Sequence, residues 1–177
     1  MKRTLIIALM AVLAAGTAQA QQPQHCGKHQ HCAHHAQQQN NQPSVNADGI
    51  DMTIVAAFPT VKSTKKTEKW TEAHDKDGKL LGYALYSKPA SDGIKGYNGE
   101  TPVLIALSPK KVIMGVYALS NSETPRFAQH VQESGFYDSW NGLTVKEARK
   151  KKVDTVSGAT FTSRAVVQTV QAALEKL

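Results

Sequence analysis

The sequence predicts an α+β domain, a twisted antiparallel sheet of hairpins with packed helices. Three observations lead there. Two pairs of short β-prone runs are each joined by a turn; proline and capping signals mark helices after the second pair; and the chain closes on an apolar stripe at helical spacing.

Ala56 to Val61 opens the domain. Trp70 to Ala73 and Lys79 to Ser87 read as two strands joined across Asp75-Lys76-Asp77-Gly78, a strong hairpin signal. Ser91-Asp92-Gly93 is a flexible break before Gly96-Tyr97-Asn98-Gly99. Val103 to Leu107 and Val112 to Leu119 form a second hairpin around Ser108-Pro109-Lys110. Pro125 suits the first turn of a helix running to about Glu133, because proline lacks the N–H that a first turn leaves unpaired anyway. Thr144 with Glu147 three residues later is a capping box that starts a short helix to about Lys150. Val166, Val170, Ala173, Leu174 and Leu177 then fall on one face of a terminal helix that begins near Thr160 to Ser163.

The segments before the domain have a different character. Lys2 and Arg3 precede an apolar run from Leu5 to about Gly16, and Ala18-Gln19-Ala20 is a small-x-small cleavage site, so residues 1–20 read as a secretory signal peptide. The run is shorter than the roughly 20 residues of a spanning helix. The absence of Cys directly after the cleavage site argues against a lipoprotein. The expected mature protein is exported and soluble, periplasmic where the cell has two membranes. Residues 21–50 are rich in Gln and Asn and are expected to be disordered, with the folded domain over 51–177. Five of the seven His and both Cys crowd into this segment as His25, Cys26, His29, His31, Cys32, His34 and His35, candidate ligands for a transition metal such as Zn, Cu or Ni. The spacing matches neither a zinc knuckle nor a haem attachment motif, and a disulfide or a solvated tail fits as well.

The formal charge of +7 falls to +5 without Lys2 and Arg3. Most of the excess sits in Lys62, Lys65, Lys66 and Lys69 and in Lys146, Arg149, Lys150, Lys151 and Lys152. Such runs usually form solvated faces, and a basic rim would steer acidic redox partners or a phosphate. Nucleic-acid binding would call for aromatics interleaved with the basic residues, and export argues against it.

The chemistry concentrates in Asp154-Thr155-Val156-Ser157-Gly158-Ala159-Thr160-Phe161-Thr162-Ser163. The first turn of the terminal helix offers unpaired N–H groups and the positive end of the helix dipole, both favourable to an anion such as a phosphate. Thr160, Thr162 and Ser163 can donate hydroxyls to it, while Gly158 and Ala159 let a ligand approach the backbone. On spacing alone, ordinary Ser/Thr helix capping explains the same residues.

Asp-x-x-Ser-Gly-Ala-Thr followed by x-Thr-Ser resembles the flavinylation motif of the FMN-binding domain family, which includes the C subunit of the sodium-pumping NADH:quinone reductase and the G subunit of the Rnf complex. Gly96-Tyr97-Asn98-Gly99, the hairpin after it, and Ser122-Glu123-Thr124-Pro125 resemble further blocks of that family in the same order, so the likeness spans about Ala56 to Leu177. The resemblance implies FMN as cofactor and a flavin transferase that moves FMN from FAD onto Thr160 as a phosphodiester. It also implies a cradle containing Ser157, Gly158, Ala159, Glu123, Thr124, Pro125 and Tyr97, with Asp154, Thr162 and Ser163 beside it. Two departures stand out. Arg126-Phe127-Ala128 replaces the family's Gly-Leu-Gly turn, and Glu100-Thr101-Pro102 is a second Glu-Thr-Pro triplet.

Each site residue has a plainer alternative. Glu123 and Thr124 could cap the helix that follows, Asp154 could brace its loop or be read by the transferase, and most aromatics belong to the core. His130 is left outside the site as an ordinary helix-surface residue. No Gly-x-Ser-x-Gly elbow, His-Glu-x-x-His or phosphate-binding Walker loop occurs, so the hard chemistry would be the flavin's. The expectation is an exported electron-transfer flavoprotein, partnered by the transferase and by redox proteins that include membrane-bound complexes. The alternatives are a metal-binding or metal-reducing module using the His/Cys tract, and an FMN-binding sensory module without electron flow.

Overall fold

The computed structural model describes residues 44–177; the expected signal peptide and the whole His/Cys tract lie outside the described residues. Five strands form one antiparallel sheet in sequential order: β1 (Ser63–Lys66), β2 (Thr71–His74), β3 (Leu80–Tyr86), β4 (Val103–Leu107) and β5 (Ile113–Ala118). Among the described residues, four α-helices accompany it: α1 (Met52–Ala57), α2 (Pro125–Glu133), α3 (Val145–Lys150) and α4 (Thr160–Glu175), with a 3-10 helix over Phe136–Trp140. The α+β expectation holds. Both hairpins form, with Asp75 Oδ1 accepting from the N–H groups of Asp77 and Lys79 at 2.9 Å in the first turn.

Three elements depart from the sequence reading. Ala56 to Val61 is the end of α1 and its exit loop rather than the opening of the domain, because Asp51 caps a helix at Thr53 N–H (2.7 Å) that buries Ile54 and Ala57. β1 went unanticipated: Ser-Thr-Lys-Lys has no apolar alternation, and all four residues are exposed on a sheet edge. The 3-10 helix follows Gly135, whose φ of +70° ends α2.

β4 is buried at every position and divides the core in two. Val103, Ile105 and Leu107 face α4, Val131 of α2 and Trp140, while Leu104 and Ala106 face Ile50, Ile54 and Phe58 on the opposite side. Trp140, fully buried with Phe136 edge-on at 5.6 Å, is the largest side chain of the first core. Trp140→Ala is expected to cost about 3–5 kcal/mol by urea unfolding, as for other aromatic truncations in cores. Arg149, exposed like the rest of its basic run, also donates Nε and Nη2 to the Leu174 carbonyl at 2.9 and 2.7 Å, tying α3 to the last turn of α4. Together these contacts fix α4, and so the start of α4, against the sheet.

Candidate functional site

The sequence blocks meet at one buried carboxylate. Glu123, 5% exposed, accepts the N–H groups of Asn98 and Gly99 at Oε1 (2.8 Å each) and the Thr162 hydroxyl at Oε2 (2.6 Å). One side chain thus joins the Gly-Tyr-x-Gly loop, the Glu-Thr-Pro segment and the first turn of α4. Burial works to raise its pKa, but the hydrogen bonds from Thr162, Gly99, Asn98 and Tyr97 outweigh it and hold the carboxyl below its ordinary value of 4.5. Asn98 Nδ2 donates to the Ser122 carbonyl at 2.7 Å and closes the same junction. Gly96 has to be glycine here: a Cβ would stand 2.6 Å from Glu123 Oε1 and 3.2 Å from Thr162 Cα. The second triplet is built differently, since Glu100 pairs with Lys88 and accepts from Gly93 N–H, away from α4.

The start of α4 is open. Ala159 stands at its N-cap position and no side chain caps the helix. The capping alternative for the Ser/Thr cluster therefore fails, and so does the expectation that three hydroxyls converge on one ligand. Ser163 is buried, accepts from Val156 N–H at 3.0 Å and donates to the Ala159 carbonyl at 2.9 Å. Thr162 is buried and committed to Glu123. Of these three, Thr160, half-buried at the first helical position, is the one whose hydroxyl no protein group engages. Ser157 and Gly158 are exposed just before it, with Gly158 at a φ of +79°. Gly158→Ala is expected to lower stability by about 1–2 kcal/mol in thermal unfolding, the cost of a left-handed L-residue, because the added Cβ would meet His130 only at an ordinary 3.8 Å.

His130 is the site residue the sequence missed. Its Nε2 lies 2.9 Å from the Ser157 carbonyl, which can only accept, so the ring nitrogen donates and pins the turn before Thr160. Nothing in the spacing of α2 marks this residue; only the fold brings α2 beside the turn. Arg126, Phe127, Gln129, His130, Glu133 and Gly158 line a cleft of about 520 Å³ between them. Arg126-Phe127-Ala128 continues α2 as helix from Pro125 at its first turn, in place of a glycine turn. Thr124 is the N-cap of α2 but its hydroxyl does not cap; its carbonyl accepts from Phe127 and Ala128 instead. Tyr97 is 62% exposed and packs edge-on against Phe127 at 4.9 Å. Asp154 is exposed and braces nothing by hydrogen bond or ion pair among the described residues. Those residues also contain no cluster of three or more metal-ligating side chains and no helix long and apolar enough to cross a membrane.

Residues 96–175 match the FMN-binding domain family. Among curated proteins, the chain is 36% identical over 111 residues to the G subunit of the ion-translocating oxidoreductase complex of Haemophilus influenzae, covering 56% of this chain and 52% of that protein. It is 34% identical over 89 residues to the protein of the same name from Shewanella piezotolerans (44% and 42%). Against the G subunit of the proton-translocating ferredoxin:NAD(+) oxidoreductase complex of Clostridium ljungdahlii it is 29% identical over 112 residues (59% and 58%). The chain spans about half the length of the curated relatives it matches. Among solved structures, NqrC of Shewanella oneidensis aligns with a TM-score of 0.43 and 18% identity over 68% of this chain and 72% of that one.

Proposed function

Starting from residues 96–175 as a member of the FMN-binding domain family, we propose that this chain is an electron-transfer flavoprotein whose FMN is esterified to Thr160. The observation that carries the proposal is the uncapped first turn of α4 with Thr160 as its unengaged hydroxyl. The residues fit the group. Free N–H groups and the helix dipole favour a phosphate at that point, Gly158 and Ala159 keep bulk away, and Thr160 offers the oxygen for a phosphodiester.

A flavin transferase supplies the FMN moiety from FAD: the Thr160 oxygen takes the FMN phosphorus, the pyrophosphate bond breaks, and AMP leaves. Exposed Asp154 and Ser157 form the face that this enzyme reads. Glu123 fixes the cradle by holding the Gly-Tyr-x-Gly loop against α4, and His130 holds the carbonyl of Ser157 so that Thr160 stays presented. When bound, FMN accepts electrons from one partner and passes them to another. A covalent tether keeps the cofactor on an exported protein, and export rests on Lys2, Arg3, the apolar run and Ala18-Gln19-Ala20. The partners are redox proteins, among them membrane complexes of the kind named for the relatives.

Reductive titration separates this reading from a sensory one. The loaded protein should take up electrons from a chemical donor and return them to an added acceptor on repeated cycles; bound flavin that cannot be turned over would contradict electron transfer. A second reading rests on the crowding of five His and both Cys before residue 36, which suits a transition metal. Deleting residues 21–46 should then abolish Zn or Cu binding in calorimetry, and unchanged binding would reject it.

A further inference from the structure

We propose that the free edge of β1 docks an acidic, extended segment of a protein partner, which joins the five-stranded sheet by strand addition. The site lies outside the flavin cradle: none of its residues lines the cleft beside Gly158, and it stands or falls independently of covalent FMN. The two edges of the sheet are finished differently. β5 is closed at Ile113, whose carbonyl accepts from Gly142 N–H at 2.9 Å and whose N–H donates to the Leu143 carbonyl at 2.8 Å. β1 has no such cover. Thr67 donates its N–H to the Trp70 carbonyl at 2.8 Å across the turn, and antiparallel pairing alternates from there. Lys65 therefore turns its backbone groups toward Glu72, while Thr64 and Lys66 turn theirs away from β2. The N–H and C=O groups of those two residues have no backbone partner among the described residues.

Charge decides what can occupy that edge. Residues 62–69 hold Lys62, Lys65, Lys66 and Lys69 against one acid, Glu68, and all four lysines are exposed. Lys62 reaches Asp48 at 3.9 Å, whereas Lys65, Lys66 and Lys69 form no ion pair among the described residues. Glu72, opposite Lys65 in register, is turned to His74 at 3.7 Å. Lysines on an edge strand keep like edges apart, so a second copy of this chain, bringing the same lysines, is repelled. An acidic strand is attracted by them. Side chains alternate across β1, so Thr64 and Lys66 line a groove of about 590 Å³, together with Ile54, Lys69 and Thr71, while Lys65 stands on the other face. Acidic residues at alternate positions of an added strand then meet Lys66 and Lys69 in the groove. Backbone bonds to Thr64 and Lys66 give the docking its geometry, and the lysines select the charge of the partner.

Fluorescence polarisation with the full chain, made without a flavin transferase, tests the site with three labelled peptides. A peptide of alternating Glu and Val should bind, whereas its Lys/Val counterpart and a Glu/Val peptide interrupted by a central proline should bind far more weakly. The double variant Lys65→Glu/Lys66→Glu should weaken binding of the intact acidic peptide roughly tenfold or more. Thr64→Pro removes one outward N–H without touching the bonds to β2, at an edge position where proline is tolerated, and should weaken binding severalfold with an unchanged circular dichroism melt. Amide hydrogen exchange on wild type needs no variant: the bound peptide should protect the Thr64 and Lys66 N–H groups. An intact acidic peptide that binds no better than the proline-interrupted one, or that binds the double lysine variant as tightly as wild type, would overturn the proposal. So would binding that leaves the exchange of Thr64 and Lys66 unchanged.

Discussion

Thr160→Ala is expected to abolish covalent flavin completely, so that the protein made alongside a flavin transferase keeps its unmodified mass and is colourless after denaturation. The expectation follows from the geometry at the start of α4. Thr162 and Ser163 are the other hydroxyls in the first turn of α4, and both are buried and spent, one on Glu123 and the other on the Ala159 carbonyl. Neither can substitute as acceptor. Thr160→Ser keeps an oxygen at the same place and should still be modified, at a lower yield. Since the Thr160 side chain caps nothing, its loss should change stability by no more than about 0.5 kcal/mol, as for ordinary surface substitutions. Circular dichroism melts of the unmodified proteins check that the missing flavin is not a folding defect.

The second large effect is at Glu123. Glu123→Ala would leave two backbone N–H groups and the Thr162 hydroxyl without their acceptor in a buried place, and about 3 kcal/mol or more of stability should be lost in denaturant unfolding. Flavin loading should fall with it, because the same bonds hold the Gly-Tyr-x-Gly loop against the turn that presents Thr160. Glu123→Gln keeps the shape and one carbonyl acceptor, and should cost only about 1 kcal/mol.

The two proteins should also differ in their response to acid. Glu123 has a folded-state pKa below its ordinary 4.5, so the carboxylate contributes stability that is fully present above 4.5 and is lost as pH falls through the lower folded value. The stability gap between wild type and Glu123→Gln should therefore shrink on acidification below pH 4.5 and stay constant between pH 6 and 8. Glu100 and Glu147, whose carboxyls are likewise held low by Lys88 and by the Thr144 backbone N–H, titrate in both proteins and cancel in the difference.

Much of this architecture is legible in the sequence because the local signals agree with the tertiary ones. The Asp-Lys-Asp-Gly turn and the Thr144/Glu147 box specify their elements through nearby hydrogen bonds and Pro125 through its fixed φ and missing N–H, and each appears where expected. β1 and α1 escape detection for the opposite reason. β1 exists by pairing with β2 and has no buried face of its own, and α1 is six residues held by one cap and two buried side chains. The site divides in the same way. The motif around Thr160 and the importance of Glu123 enter through the family resemblance, which does not say what those residues touch. Sequence cannot distinguish a hydroxyl aimed at a ligand from one turned into the protein, as Thr162 and Ser163 are. Nor can it place His130 beside Ser157, since those two residues are 27 positions apart and meet only when α2 packs beside α4.

The central claim is that Thr160 carries FMN, and intact mass spectrometry of the protein purified from its own host tests it most directly. The expected result is a mass higher than that of the processed chain by one FMN less one water, with fragmentation assigning the gain to Thr160. An unmodified mass in cells whose other flavinylated proteins are fully loaded would contradict the claim, and so would a gain assigned to any other residue.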